Sequence, residues 1–130
     1  MNAIMRLILI SMLMMVAAPA WSSSVMAVYT CEQDEDASEA DVTAAAEEWL
    51  QAAKGMKGGE NLEVFTMFPV AVTMGESDFL FVVKAPSLAE WGTFMDGYAG
   101  SAVADADKKH ADIADCPDSA LWESVQAGSK

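Results

Sequence analysis

Two apolar runs joined by a tight turn constrain this chain more than any other feature. Residues 62–72, Leu-Glu-Val-Phe-Thr-Met-Phe-Pro-Val-Ala-Val, and 79–83, Phe-Leu-Phe-Val-Val, are rich in β-branched and aromatic residues. Between them, Met74-Gly75-Glu76-Ser77-Asp78 supplies the glycine and short polar side chains of a hairpin turn. Alternate side chains of an extended chain point to opposite faces. Val64, Phe68, Val70 and Val72 therefore take one face of the first run, and Phe65, Met67 and Ala71 the other. A hairpin apolar at both parities needs cover on both sides. Pro69 has no N–H to give to a ladder, which places its strand at an edge or beside a bulge.

Helical patterns flank the hairpin. Ser38-Glu39-Ala40-Asp41 has the acceptor and the acid of a capping box. Val42, Ala45, Ala46, Trp49, Leu50 and Ala53 then recur at helical spacing, with acids opposite, Lys54 in the last turn and Gly55 as the stop. This predicts a helix over 38–54. Gly55-Met56-Lys57-Gly58-Gly59 reads as a flexible connector; it leads from helix to strand, the reverse of a phosphate-cradling loop. Beyond the hairpin, Ser87 and Glu90 repeat the capping pattern. Leu88, Trp91, Met95 and Tyr98 form a buried stripe that ends at Gly97 and Gly100. Residues 101–115 are polar and alanine-rich, with room for one or two further helical turns. Strand-forming segments stand at both ends: Val25 to Thr30, and Ala120 to Val125 after a break at Pro117-Asp118. The order strand, helix, strand, strand, helix, strand predicts a ferredoxin-like α+β fold, a four-stranded antiparallel sheet with two helices on one face.

Two helices leave the second face of such a sheet bare, and an apolar patch of that size marks an interface or a ligand groove. In element order and size, residues 25–126 resemble the dimeric α+β barrel proteins, in which two such sheets close face to face. The resemblance implies a homodimer. Haem-degrading and quinone-forming oxygenases are one branch of that superfamily. In the haem-degrading members an asparagine on the first strand works with a tryptophan and a histidine. Trp91 and His110 are present here, but the first strand has no asparagine.

The N-terminus reads as an export signal. Arg6 precedes an apolar run from Leu7 to Ala18, and Ala18-Pro19-Ala20 offers small residues where a signal peptidase inspects them. Twelve residues are too few to cross about 30 Å of hydrocarbon. Residues 1–20 are thus expected to be a signal peptide, with an alternative end at 27 after Val25-Met26-Ala27, leaving 21–130 as a single domain in the periplasm or secreted. Val28-Tyr29-Thr30 before Cys31 is not a lipobox. Without Arg6, the remaining lysines, six in all, face twenty acidic residues. So acidic a surface argues against nucleic-acid partners and against anionic membranes once the signal is gone. Six of the ten methionines lie at positions 1 to 26. Met56, Met67, Met74 and Met95 lack metal-box spacing and read as fillers of core gaps.

Cys31 and Cys116 are the only cysteines. An even count in an exported chain favours a disulfide. A ferredoxin-like sheet also makes its first and last strands neighbours, bringing the end of one beside the start of the other. Asp105, Asp107, Asp112 and Asp115 surround the sole histidine, His110, but the spacing is not that of a calcium loop and two lysines interrupt it; the segment reads as a solvated surface. No catalytic residue, metal site or cofactor is assigned. Trp49 and Trp91 read as core anchors. Tyr29, Trp91, Tyr98 and Trp122 are the candidates to line a ligand groove, Tyr29 and Trp122 from the bare sheet face. The chain is accordingly expected to bind a small apolar ligand or another protein as a homodimer. A dimeric-barrel oxygenase or isomerase and a purely structural dimer are the alternatives.

Overall fold

The computed structural model describes residues 23–71, 75 and 77–128. The signal segment 1–20 lies outside them, as does Val72. The elements run β1 (Ser24–Gln33), α1 (Glu39–Lys54), β2 (Glu63–Met67), β3 (Phe79–Ala85), α2 (Leu88–Asp96), α3 (Ala102–Lys109) and β4 (Ala114–Ser124). The strands form one sheet in the order β2-β3-β1-β4, and every neighbouring pair is antiparallel. That order and connectivity are ferredoxin-like, with a third helix added before the last strand.

Local chemistry explains where the helices begin. Ser38 accepts from the Asp41 backbone N–H at 3.2 Å while its own N–H donates to Asp41 Oδ2 at 2.8 Å, a reciprocal capping box. These bonds hold the Asp41 carboxyl below its ordinary range. Ser87 and Ser101 cap α2 and α3 by accepting from the backbone N–H groups of Glu90 and Ala104. The residues 101–115, predicted to hold at most two turns, supply α3, whose Val103, Ala104 and Ala106 are buried.

The core lies between the helices and the inner sheet face. Trp49 and Ala53 of α1, Trp91 and Phe94 of α2, and Val103 and Ala106 of α3 pack with Ala27, Val83 and Ala85. A smaller cluster joins Cys31, Val42 and Phe79. The connector after α1 is packed rather than flexible. Gly58 and Gly59 are buried, and Gly58 has φ +83°. A Cβ on Gly58 would stand 2.6 Å from the Glu90 carbonyl oxygen, and one on Gly59 only 1.9 Å from that of Ala53. The chain leaves α1 pressed against α2, and only glycine fits there.

The strand ends differ from expectation. The first hairpin strand stops at Met67, two residues before Pro69, and Val70 is 99% exposed. Being at the sheet edge, β2 ends where its ladder ceases to need it. The second strand continues two residues further, to Ala85. The last strand begins at Ala114 and runs through Pro117 instead of starting beyond it. Here β1 and β4 slip register: Thr30 faces Asp118 and Glu32 faces Asp115, so Cys116 and Pro117 together oppose Cys31. A bulge on an edge strand is one of the few places where a proline disturbs nothing. The Cys31–Cys116 disulfide closes across this bulge, with Cα atoms 4.0 Å apart. The alternative signal end, after Ala27, would cut inside β1, where Val25 and Ala27 are buried.

Candidate functional site

The helices do not cover the inner sheet face evenly. At nine residues α2 is short, and the turn through Gly100 (φ +73°) sends α3 against α1 rather than over the last strand. From Asp115 to Glu123 every residue of β4 is exposed. A cleft opens along this uncovered margin.

Its floor is aromatic. Tyr29 on β1 and Phe81 on β3 are paired residues, with ring centroids 5.9 Å apart. Trp49 descends from α1, inclined to Phe81 at 5.3 Å and 79° and to Phe94 at 5.8 Å and 62°. The end of α2 and the turn after it contribute Met95 and Tyr98. Ala114, Asp115 and Cys116, at the start of β4, close the opposite side, giving a volume of about 520 Å³. A smaller lobe of about 120 Å³ shares Trp49, Phe81, Asp107, Ala114 and Cys116 and runs toward Val42 and His110. Both of the chain's tyrosines thus line one cleft.

Polar groups sit at the mouth. The Tyr98 hydroxyl donates to Asp107 Oδ2. Burial, then this bond and the nearby carboxylate charge, push the Tyr98 phenol up to about 12. The Tyr29 phenol is also raised, by burial first and then by Asp107. On the outer side of α3, Glu48 accepts from Lys109 at 2.6 Å and lies 2.8 Å from His110 Nε2. The bond from Lys109, then that from His110, hold the Glu48 carboxyl below its usual range. His110 therefore has a partner on α1, which its local sequence does not reveal. Among the described residues, no group of three or more acids, histidines or cysteines is arranged to hold a metal ion.

Of the four residues expected to line a groove, Tyr29 and Tyr98 come together in the cleft. Trp91 does not line it; it is 8% exposed in the core against Phe94, with centroids 5.7 Å apart. Trp122 pairs with Met26 on the opposite face of the sheet and is 61% exposed. Tyr29 and Trp122 were expected on one face, but Tyr29 is three residues from Met26 and so points to the helix side. Trp91 and His110, the pair named by the oxygenase resemblance, are likewise not joined at the cleft. Sequence reasoning missed Asp107 and Phe81, and favoured for Trp49 a core anchor over a cavity wall, where it serves as both. Met67 and Met95, read as core fillers, are 52% and 41% exposed, on the bare face and at the cleft rim.

No family model matches the chain, and no curated protein matches it. Several solved structures are similar at low identity. A dimeric ferredoxin-like protein of unknown function from Thermobifida fusca is 13% identical over 81% of this chain and 92% of its own, with a TM-score of 0.46. A protein of unknown function from Rhodopseudomonas palustris is 15% identical over 84% and 85%, with a TM-score of 0.47. A mutant chlorite dismutase from Candidatus Nitrospira defluvii is 14% identical over 82% of this chain and 41% of its own, with a TM-score of 0.40. The fold assignment rests on strand order and connectivity.

The two phenols give a direct test of the site. Spectrophotometric titration is expected to show Tyr98 ionising near pH 12 and Tyr29 above the ordinary value of 10.0. Tyr98→Phe should remove the later step. Unfolded phenols ionise near 10, so the unfolded state holds fewer protons than the folded one above that pH. Stability should fall as pH rises from about 10 toward 12. Two steps superimposed near 10 would show that the cleft is open to bulk water.

Proposed function

We propose that the chain is an exported, non-catalytic binding domain that takes a small apolar ligand in the aromatic cleft and dimerises through its bare sheet face. The observation that carries the ligand reading is the cleft itself: about 520 Å³, floored by aromatic rings with a few polar groups at its mouth. Small-molecule sites have this size and character.

The bare face supports the second part. Phe65, Val82, Val28 and Ala120 form a row across the four strands, flanked by Met67, Leu80 and Thr30 on one side and by Met26 and Trp122 on the other. The charges on this face, Glu63, Lys84, Asp118 and the Glu32–Asp115 pair, lie around that apolar centre, and Lys84 is paired with Glu63 at 3.3 Å. Two copies meeting there would bury the apolar centre despite their net negative charge. The accessible residues of such a contact are Phe65, Met67 and Trp122; Val82 is already buried at 3%, and Val83 belongs to the helix-side core. Cleavage of the signal after Ala20 keeps β1 whole.

Nile red, an uncharged apolar dye, tests both parts in one sample. Its emission should rise on mixing with the exported protein, and Ala111→Trp at the cleft mouth should abolish the rise. Phe65→Asp should leave dye binding intact but convert a sedimenting dimer to a monomer. Dye binding indifferent to Ala111→Trp would overturn the ligand reading, and a monomeric unaltered protein the dimer.

A further inference from the structure

The charge around the cleft is one-sided. Asp107 lines both lobes and is the carboxylate that faces Tyr98 and Tyr29, and among the described residues no lysine lines either lobe. The lysines of α3, Lys108 and Lys109, point elsewhere, and Lys109 is held by Glu48 at 2.6 Å. His110, in the smaller lobe, is held by the same carboxylate at 2.8 Å. Asp107 uses Oδ2 to accept from Tyr98; among the described residues no donor meets Oδ1. Tyr29, Trp49, Phe81, Phe94 and Tyr98 line the larger lobe together, so a ligand there lies among five aromatic rings. A ring face is the negative part of an aromatic quadrupole and attracts a cation within about 6 Å.

We infer that the cleft selects an organic cation: an ammonium head, alkylated so that it sheds water readily, held against the faces of Tyr29, Trp49 and Tyr98 with Asp107 as its counter-charge. The inference rests on the reading of the cleft as a ligand site and adds the class of ligand. An anion would meet the Asp107 carboxylate and no lysine to compensate it. An uncharged ligand would gain no attraction from the Asp107 charge, which its bond from Tyr98 leaves in place. Tyr98 stays a neutral donor over the physiological range, so it adds no charge of its own and steadies Asp107 instead. The chain's formal charge of −13 also draws cations toward the protein.

Displacement of Nile red from the exported protein by three tetrahedral isosteres tests this. They are benzyltrimethylammonium, uncharged neopentylbenzene and anionic phenylmethanesulfonate. The cation should displace the dye at a concentration at least about tenfold below the neutral probe, the combined effect of ring faces and carboxylate. The anion should be the weakest. In Asp107→Asn, with its circular dichroism unchanged, the preference should fall to about threefold or less. Equal potency of cation and neutral probe, or a stronger anion, overturns the charge selection while dye binding keeps the ligand reading intact. No cleft-dependent dye binding at all overturns both. The preference in the unaltered protein decides the matter even if the variant fails to fold.

Discussion

Replacing both cysteines, Cys31→Ala with Cys116→Ala, is expected to lower the unfolding free energy by roughly 4–5 kcal/mol. The bond spans 85 positions, and in the chain-entropy account a loop that long removes much of the freedom of the unfolded ensemble. A domain of this size has only about 5–15 kcal/mol in total, so the change should cost roughly 15–20 °C in Tm. Urea unfolding of the oxidised protein, the reduced protein and the double variant measures it. The double variant should lie somewhat below the reduced protein, because Cys31 is completely buried and alanine leaves a small void in its place. A loss below about 1 kcal/mol would mean that β1 and β4 remain associated in the unfolded chain, which would make the bond redundant.

The second large effect is expected from Phe94→Ala, at roughly 3–5 kcal/mol. The Phe94 ring is completely buried and stands between Trp49 and Trp91, with centroids 5.8 and 5.7 Å away. Its loss removes, among the described residues, the ring that ties α1 to α2 over the sheet, and the two indoles are too rigid to fill the space. Because Phe94 also floors the cleft, dye binding should weaken along with stability. Val70→Ala is the control: at 99% exposure it should stay within about 0.5 kcal/mol of the parent. Equal costs for the two substitutions would show that the helix layer does not pack as described.

The architecture was legible where short-range patterns encode it. Ser38 with Asp41, and the recurrence from Val42 to Ala53, specify α1 without reference to any other element. The alternation on both sides of Gly75 specifies a hairpin whose strands need cover on both faces. From there the pairing of first and last strands follows by topology, and the disulfide follows from the pairing. The site was less legible because it depends on relations between elements. Whether Tyr29 and Trp122 share a face is decided by the register of β1 against β4, and that register slips at Cys116-Pro117, where the sequence suggests only a chain break. The cleft exists because α2 stops at Asp96 and α3 leans on α1, a choice of direction made at Gly100. Asp107 meets Tyr98 only across that turn, and His110 meets Glu48 only between two helices. No periodicity announces either contact.

The position of β1 in the sheet has a consequence for timing. It precedes the other described elements in the chain, yet it lies inside the sheet, with β3 on one side and β4 on the other. A chain delivered from its N-terminus, by a ribosome or through a membrane pore, presents β1 with both edges bare. Its first ladder must wait for residues 79–85 and its second for 114–124. Pairings this distant in sequence form slowly. The chain is therefore held back from folding until nearly all of it has emerged, the condition under which a polypeptide can still be threaded. The disulfide, joining those same two strands, locks the fold only after that delay has ended.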